Sequence, residues 1–140
     1  MDITDLIPQR SPFLFINEIQ SIDEDKIRVS MHFNEQMDFF KGHFPGNPIV
    51  PGVILTEHCF QSGAALISNQ SKNDFKNSLA VVSRINSAKF KNIVRPNETI
   101  TTETSLLEKL GNAAFFKSVV SNQEGKKVLL IEFACTLVEE

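Results

Sequence analysis

Neither tyrosine nor tryptophan occurs in the 140 residues, so tyrosine acid-base chemistry is excluded outright. Cysteine is nearly absent too. Cys59 and Cys135 are the only two; one falls in a predicted helix and the other in a predicted strand, without C-x-x-C or metal-type spacing, so both are expected to be reduced core thiols. Positive charge is not in excess: 14 Lys and Arg against 17 Asp and Glu give a net charge of -3. That leaves no domain-wide basic surface to neutralise phosphates and speaks against a nucleic-acid partner. No apolar run approaches the ~20 residues needed to span a bilayer. The opening residues, Met1-Asp2-Ile3-Thr4-Asp5, are acidic where a secretory leader would be basic. A cytoplasmic protein without membrane contact is expected.

What is present is an ordinary globular composition, 41% hydrophobic and 22% charged, which argues against disorder. One domain covering residues 1–140 fits this length. It is small for an enzyme, so a site shared between subunits, and hence an oligomer, is expected.

Backbone breakers are scarce, and they are concentrated. Gly42, Pro45, Gly46, Pro48, Pro51 and Gly52 interrupt the chain at almost every second position, which rules out a regular helix or an interior strand there and predicts a shaped loop. From Val53 the breakers thin out. Val53, Ile54, Leu55, Phe60, Ala64, Ala65, Leu66 and Ile67 then run to the polar stop Ser68-Asn69-Gln70-Ser71, the pattern of a helix apolar nearly all round and therefore buried.

Two ionisable residues in this stretch carry the candidate chemistry. Glu57 lies one turn into the helix, beside Val53, Ile54, Phe60 and Gln61 at neighbouring helical spacings. Burial would raise its pKa and let it hold or donate a proton near neutrality. His43 sits in the loop ahead of it, with an unperturbed pKa near 6.5 that suits a general base. The amides at Gly52 and Val53 open the helix and are available to a developing oxyanion. A lone loop histidine is usually structural and a lone buried glutamate is usually paired. The conjunction of base, acid and oxyanion donors within one short segment is what points to an active site.

The same residues carry a resemblance. Gly42-His43-Phe44-Pro45-Gly46, Pro48, Pro51-Gly52-Val53, Glu57 and Gln61 resemble the signature of the FabZ-type 3-hydroxyacyl-acyl-carrier-protein dehydratases. Ile7-Pro8-Gln9-Arg10-Ser11-Pro12-Phe13-Leu14 and Ala88-Lys89-Phe90-Lys91-Asn92-Ile93-Val94-Arg95-Pro96 are similar to further stretches of that family. The likeness covers roughly the whole chain. It implies an α+β hotdog fold, a long antiparallel sheet wrapped around one buried helix, dimerising into a continuous sheet or forming a trimer of dimers or a heteromer.

It also implies dehydration of a (3R)-3-hydroxyacyl thioester to the trans-2-enoyl thioester, in fatty acid or polyene and polyketide synthesis, with no metal or redox cofactor. His43 and Glu57 would come from different subunits. Phe44, Val50, Phe60 and Gln61 would line the acyl channel. The carrier, with its phosphopantetheine arm, would be steered by Lys89, Lys91 and Arg95, though Lys89 and Lys91 also read as a solvated strand face. A related dehydratase-isomerase branch carries Asp at the position of Glu57 and Cys at that of Val53, so the chain sides with the plain dehydratases.

Departures from the family pattern at Val50, at His58-Cys59-Phe60 and in the longer approach Gln36-Met37-Asp38 are expected beside the channel. Two other readings are a hotdog thioesterase and a catalytically silent acyl-binding or partner subunit.

Elsewhere, Ile27, Val29, Met31 and Phe33 alternate with Arg28, Ser30 and His32, a half-buried strand with His32 on its wet face. Strands are also expected from Phe13 to Ile22, Leu79 to Ile85, Ala88 to Val94, Thr99 to Leu110, Ala113 to Ser121 and Lys127 to Val138. The last would press Leu129, Ile131, Phe133, Cys135 and Leu137 on the helix. Ser71-Lys72-Asn73-Asp74 and Lys76-Asn77 read as a polar linker, and Phe39 and Phe40 as core residues or as packing under the histidine loop.

Overall fold

Alternation along residues 27–33 produces a strand whose Ile27, Val29 and Met31 are buried while Arg28 and His32 face outward. The computed structural model describes residues 1–70 and 78–139. After a 3-10 turn at Ile3–Asp5 come β1 (Glu18–Ile22), β2 (Lys26–His32), a short α1 (Phe39–Gly42), the long α2 (Gly52–Gln70), and β3 (Ser78–Phe90), β4 (Thr99–Leu110), β5 (Ala113–Ser121) and β6 (Lys127–Glu139). The strands form one sheet in the order β1-β2-β4-β5-β6-β3, every neighbouring pair antiparallel. β1 and β3 are its edges. Left-handed glycines, Gly111 at φ 60° and Gly125 at φ 81°, sit in the β4–β5 and β5–β6 turns, conformations a side chain rarely adopts.

α2 lies against the sheet. Leu129, Ile131, Phe133, Cys135 and Leu137 of β6 are all buried, as alternation predicts for a strand under a helix. The helix approaches closely at Gly63, where an added Cβ would stand 3.1 Å from the Phe133 ring. Both cysteines are free and buried. Burial pushes the Cys59 thiol up to about 12, and burial with the nearby Glu57 charge does the same to Cys135.

The helix is not buried all round. Val53 is 73% exposed, and Glu57, Phe60 and Ala64 are only partly buried. With Val53 these positions step by four, three and four residues, so they form one stripe. Three of its members, Glu57, Phe60 and Ala64, line a cavity together with residues 79–82 of the edge strand β3.

Residues 13–16 do not start a strand. Their backbone is bonded by α2 side chains instead: Gln61 Oε1 accepts from the Phe15 amide at 2.9 Å and Gln61 Nε2 donates to the Phe13 carbonyl at 3.0 Å. The apolar run forms a strap whose Phe15 and Ile16 sink into the core. The expected separate strands 79–85 and 88–94 are largely one, because register shifts at Val82/Arg84 and Ile85/Ser87 absorb the polar break into continuous pairing with β6. The linker expected at residues 71–77 lies outside the described residues. No described helix is long and apolar enough to cross a membrane.

His58 and Cys59 do not flank a channel; both are fully buried towards the sheet. His58 Nδ1 lies 2.6 Å from the Phe15 carbonyl and Nε2 lies 2.8 Å from Thr102 Oγ1. A carbonyl only accepts, so Nδ1 carries the proton and Nε2 accepts the Thr102 hydroxyl. Next to it, Ser62, Thr104 and Ser118 link hydroxyl to hydroxyl at 2.6 Å. The polar residues on the buried face of α2 are thus matched by threonines and serine of the sheet.

Burial lowers the His58 pKa from 6.5 to about 4, with the Phe15 hydrogen bond a smaller opposing effect. A depressed folded value means that the unfolded chain takes the proton first, so the stability is fully present above pH 6.5 and is lost as pH falls towards 4. At about 1.4 kcal/mol per pH unit the loss is on the order of 3 kcal/mol. Urea midpoints across this range should fall, and His58→Gln should flatten that slope; an equally steep fall in the variant would assign the acid sensitivity elsewhere.

Candidate active site

The histidine loop is held by its own polar groups. His43 ends α1, its amide donating to the Phe39 carbonyl at 3.1 Å. Phe40, 6% exposed, is core, and Phe39 packs on it at 4.6 Å between ring centroids, so the aromatic pair anchors the loop's start. Further along, the Val50 amide donates to the Val94 carbonyl at 2.7 Å, and Arg95 Nη1 donates to Asn47 Oδ1 at 2.9 Å. Phe44 adopts φ 63°, an outlying conformation for a bulky residue that its surroundings must impose.

Within this frame His43 Nδ1 is 3.1 Å from the Ile49 carbonyl. The carbonyl must be accepting, so Nδ1 carries a proton, and in the neutral ring the basic lone pair is the one on Nε2. The loop therefore fixes both ring orientation and tautomer in the form a general base requires.

Pro51 precedes α2, and its carbonyl accepts from the Ile54 and Leu55 amides. The Gly52 and Val53 amides have no such partner among the described residues. They are free donors at the positive end of a 19-residue helix. A Cβ at position 52 would stand 3.1 Å from the Phe90 ring, which would have to give way slightly.

Glu57 sits one turn further on and is half-buried. Gln61 Nε2 donates to Glu57 Oε2 at 3.1 Å. The glutamine cannot turn over, because its oxygen already accepts from Phe15. Burial raises the Glu57 pKa above the ordinary 4.5, and the Gln61 bond only partly offsets it. The carboxyl opens on a cavity of about 710 Å³ walled by Pro8, Gln9 and Phe13 of the N-terminal segment, Phe60 and Ala64 of α2, and residues 79–82 of β3. Among the described residues Glu57 is the one titratable group in that wall.

Of the four residues expected on the acyl channel, Phe60 lines this cavity within the single chain. Gln61 is fully buried behind Glu57, Val50 is core, and Phe44 stands exposed on the loop. His43 does not line this cavity either. The N-terminal strap, Ala64 and residues 79–82 were missed by sequence reasoning; the small Ala64, at i+7 from Glu57, was the available signal. Lys89, Lys91 and Arg95 are all exposed, but β3 ends at Phe90, so the two lysines do not share a strand face, and the Arg95 guanidinium braces the loop.

One long helix laid on a six-stranded antiparallel sheet is the hotdog fold. Solved structures agree: the dehydratase heterocomplex ApeI:P from Xenorhabdus doucetiae superposes with a TM-score of 0.84 over 100% of this chain and 93% of that one, at 10% identity, and the E. coli PaaI protein with 0.68 over 85% and 81%, at 19%. The family model ApeI-like, described as ApeI dehydratase, matches residues 18–129. The 3-hydroxyacyl-[acyl-carrier-protein] dehydratase FabZ of Ligilactobacillus salivarius is 35% identical over 136 residues, covering 94% of this chain and 95% of the relative. That of Chlamydia trachomatis is 36% identical over 126 residues, covering 87% and 82%. The chain belongs to the FabZ-type, ApeI-like dehydratase family.

Proposed function

We propose that the chain dehydrates a (3R)-3-hydroxyacyl thioester, carried on the phosphopantetheine arm of an acyl carrier protein, to the trans-2-enoyl thioester and water. The observation that carries this reading is Glu57: a half-buried acid with a raised pKa, the one titratable group among the described residues of a largely apolar cavity wall. Its protonated carboxyl donates to the hydroxyl on C3, which leaves as water. His43 Nε2 takes the proton from C2, and that electron pair forms the new double bond as the C3–O bond breaks. The thioester oxygen, charged as the C2 proton departs, is met by the Gly52 and Val53 amides. No step calls for a metal or a redox cofactor.

Because His43 lies off the cavity that holds Glu57 in the same chain, the working site joins two protomers, His43 of one with Glu57 of the partner subunit. The edge strand β3 suits such pairing, with Val81, Ile85 and Phe90 about half exposed and its outer backbone edge unpaired among the described residues. The second protomer is another copy or a homologous hotdog chain, as in the ApeI:P heterocomplex. Lys89 and Lys91 offer the carrier exposed positive charge, and reaction in the cytoplasm follows from such a substrate.

The test is incubation of the purified protein with 3-hydroxyacyl carrier protein. Enoyl thioester formation is expected; release of free thiol without enoyl product would instead identify a thioesterase, and neither product would leave a silent partner subunit.

A further inference from the structure

We infer that Ala64, which lines the Glu57 cavity on the α2 side, sets how long an acyl chain the site accepts. The inference rests on the dehydratase reading and adds its substrate class: 3-hydroxyacyl thioesters of medium length. On the helix side the cavity is lined by Glu57, Phe60 and Ala64, positions i, i+3 and i+7 of a single stripe. On the strand side stand residues 79–82, of which Ala80 and Val82 pack against the core. Helix and strand each contribute an alanine to the lining, and larger side chains at Ala64 and Ala80 would occupy space that is open.

Two independent lengths agree. Seven residues of helix separate Glu57 from Ala64, a rise of roughly 10 Å, and residues 79–82 span roughly 10 Å of strand. With C3 held at Glu57, an extended chain of about eight further carbons fills that distance. Past Ala64 the next positions on the stripe are Ile67, 1% exposed and committed to the core, and Ser68, where the polar stop begins. Phe60 forms the fixed wall between acid and alanine, braced edge-on against Phe133 at 5.0 Å.

The experiment is a chain-length profile of kcat/KM for wild type and for Ala64→Val, Ala64→Leu and Ala64→Phe, each checked for a cooperative thermal transition. Ala64→Phe should reduce kcat/KM for a 3-hydroxydecanoyl thioester about 100-fold, by excluding several methylenes from the apolar wall. It should leave a 3-hydroxybutanoyl thioester within about threefold, and valine and leucine should fall between. Should Ala64→Phe fail to fold, the smaller steps carry the same graded expectation. An unchanged profile across the folded variants, or equal loss on both substrates, overturns the assignment of Ala64 while leaving the dehydratase reading intact. A wild type that dehydrates neither substrate removes that reading and this inference with it.

Discussion

Glu57→Gln is expected to lower turnover of a 3-hydroxyacyl thioester by about 10²- to 10⁴-fold, the usual contribution of a positioned acid, while leaving the melting temperature unchanged or slightly raised. Both parts follow from the same burial. Desolvation disfavours the carboxylate, so the folded protein holds the Glu57 proton to higher pH than an exposed glutamate would. The sign for stability is then fixed: a raised folded pKa favours the fold fully below the unfolded value and loses that contribution as pH rises through the folded one. Above that raised value the ionised glutamate is a mild burden that glutamine removes, while still accepting the hydrogen bond from Gln61. What glutamine cannot do is give up a proton to the leaving hydroxyl. Wild-type activity should accordingly decline as pH rises past the raised Glu57 value. Enoyl absorbance and a thermal melt read the two quantities separately. A loss under tenfold would show that Glu57 is not the acid.

The second large effect is expected at His43. His43→Asn keeps a side-chain N–H able to reach the Ile49 carbonyl, where His43 Nδ1 now sits at 3.1 Å, but supplies no basic nitrogen. Turnover should drop by about 10²- to 10⁴-fold with little change in melting temperature. His43→Ala should be equally inactive and, having lost the loop's internal bond, somewhat less stable. If asparagine preserved activity, the imidazole would be holding the loop rather than moving a proton. Because acid and base serve one elimination, the double variant should be scarcely worse than either single one.

The parts legible in the sequence are those written in local pattern. Period-two alternation marked β2, the strands expected at 99–110, 113–121 and 127–138 match β4, β5 and β6 nearly to the residue, and the cluster of glycine and proline marked the loop and the start of α2. Glu57 was legible because a charge amid apolar helical neighbours must either be desolvated or be a surface position, and the structure makes it half-buried. Residues 13–16 were misread since their apolar content resembles a strand's, while their hydrogen-bond partners, Gln61 and His58, lie more than forty positions away. The same long-range pairing concealed His58: a polar residue in an apolar helix signals nothing until Thr102 is seen opposite. Phe44 and Val50 were carried over from a motif, which does not say that the loop leaves Phe44 exposed and buries Val50. The cavity wall at residues 79–82 depends on the gap between helix and edge strand, which no local pattern records.

Mixing the two inactive proteins tests the shared site most directly. His43→Asn and Glu57→Gln protomers, co-assembled at equal amounts, form mixed dimers as half the population by random pairing, each with one complete site and one doubly defective site. Turnover should return to about a quarter of wild type. Native mass spectrometry showing mixed dimers that remain inert would contradict the joining of His43 from one chain to Glu57 of the other.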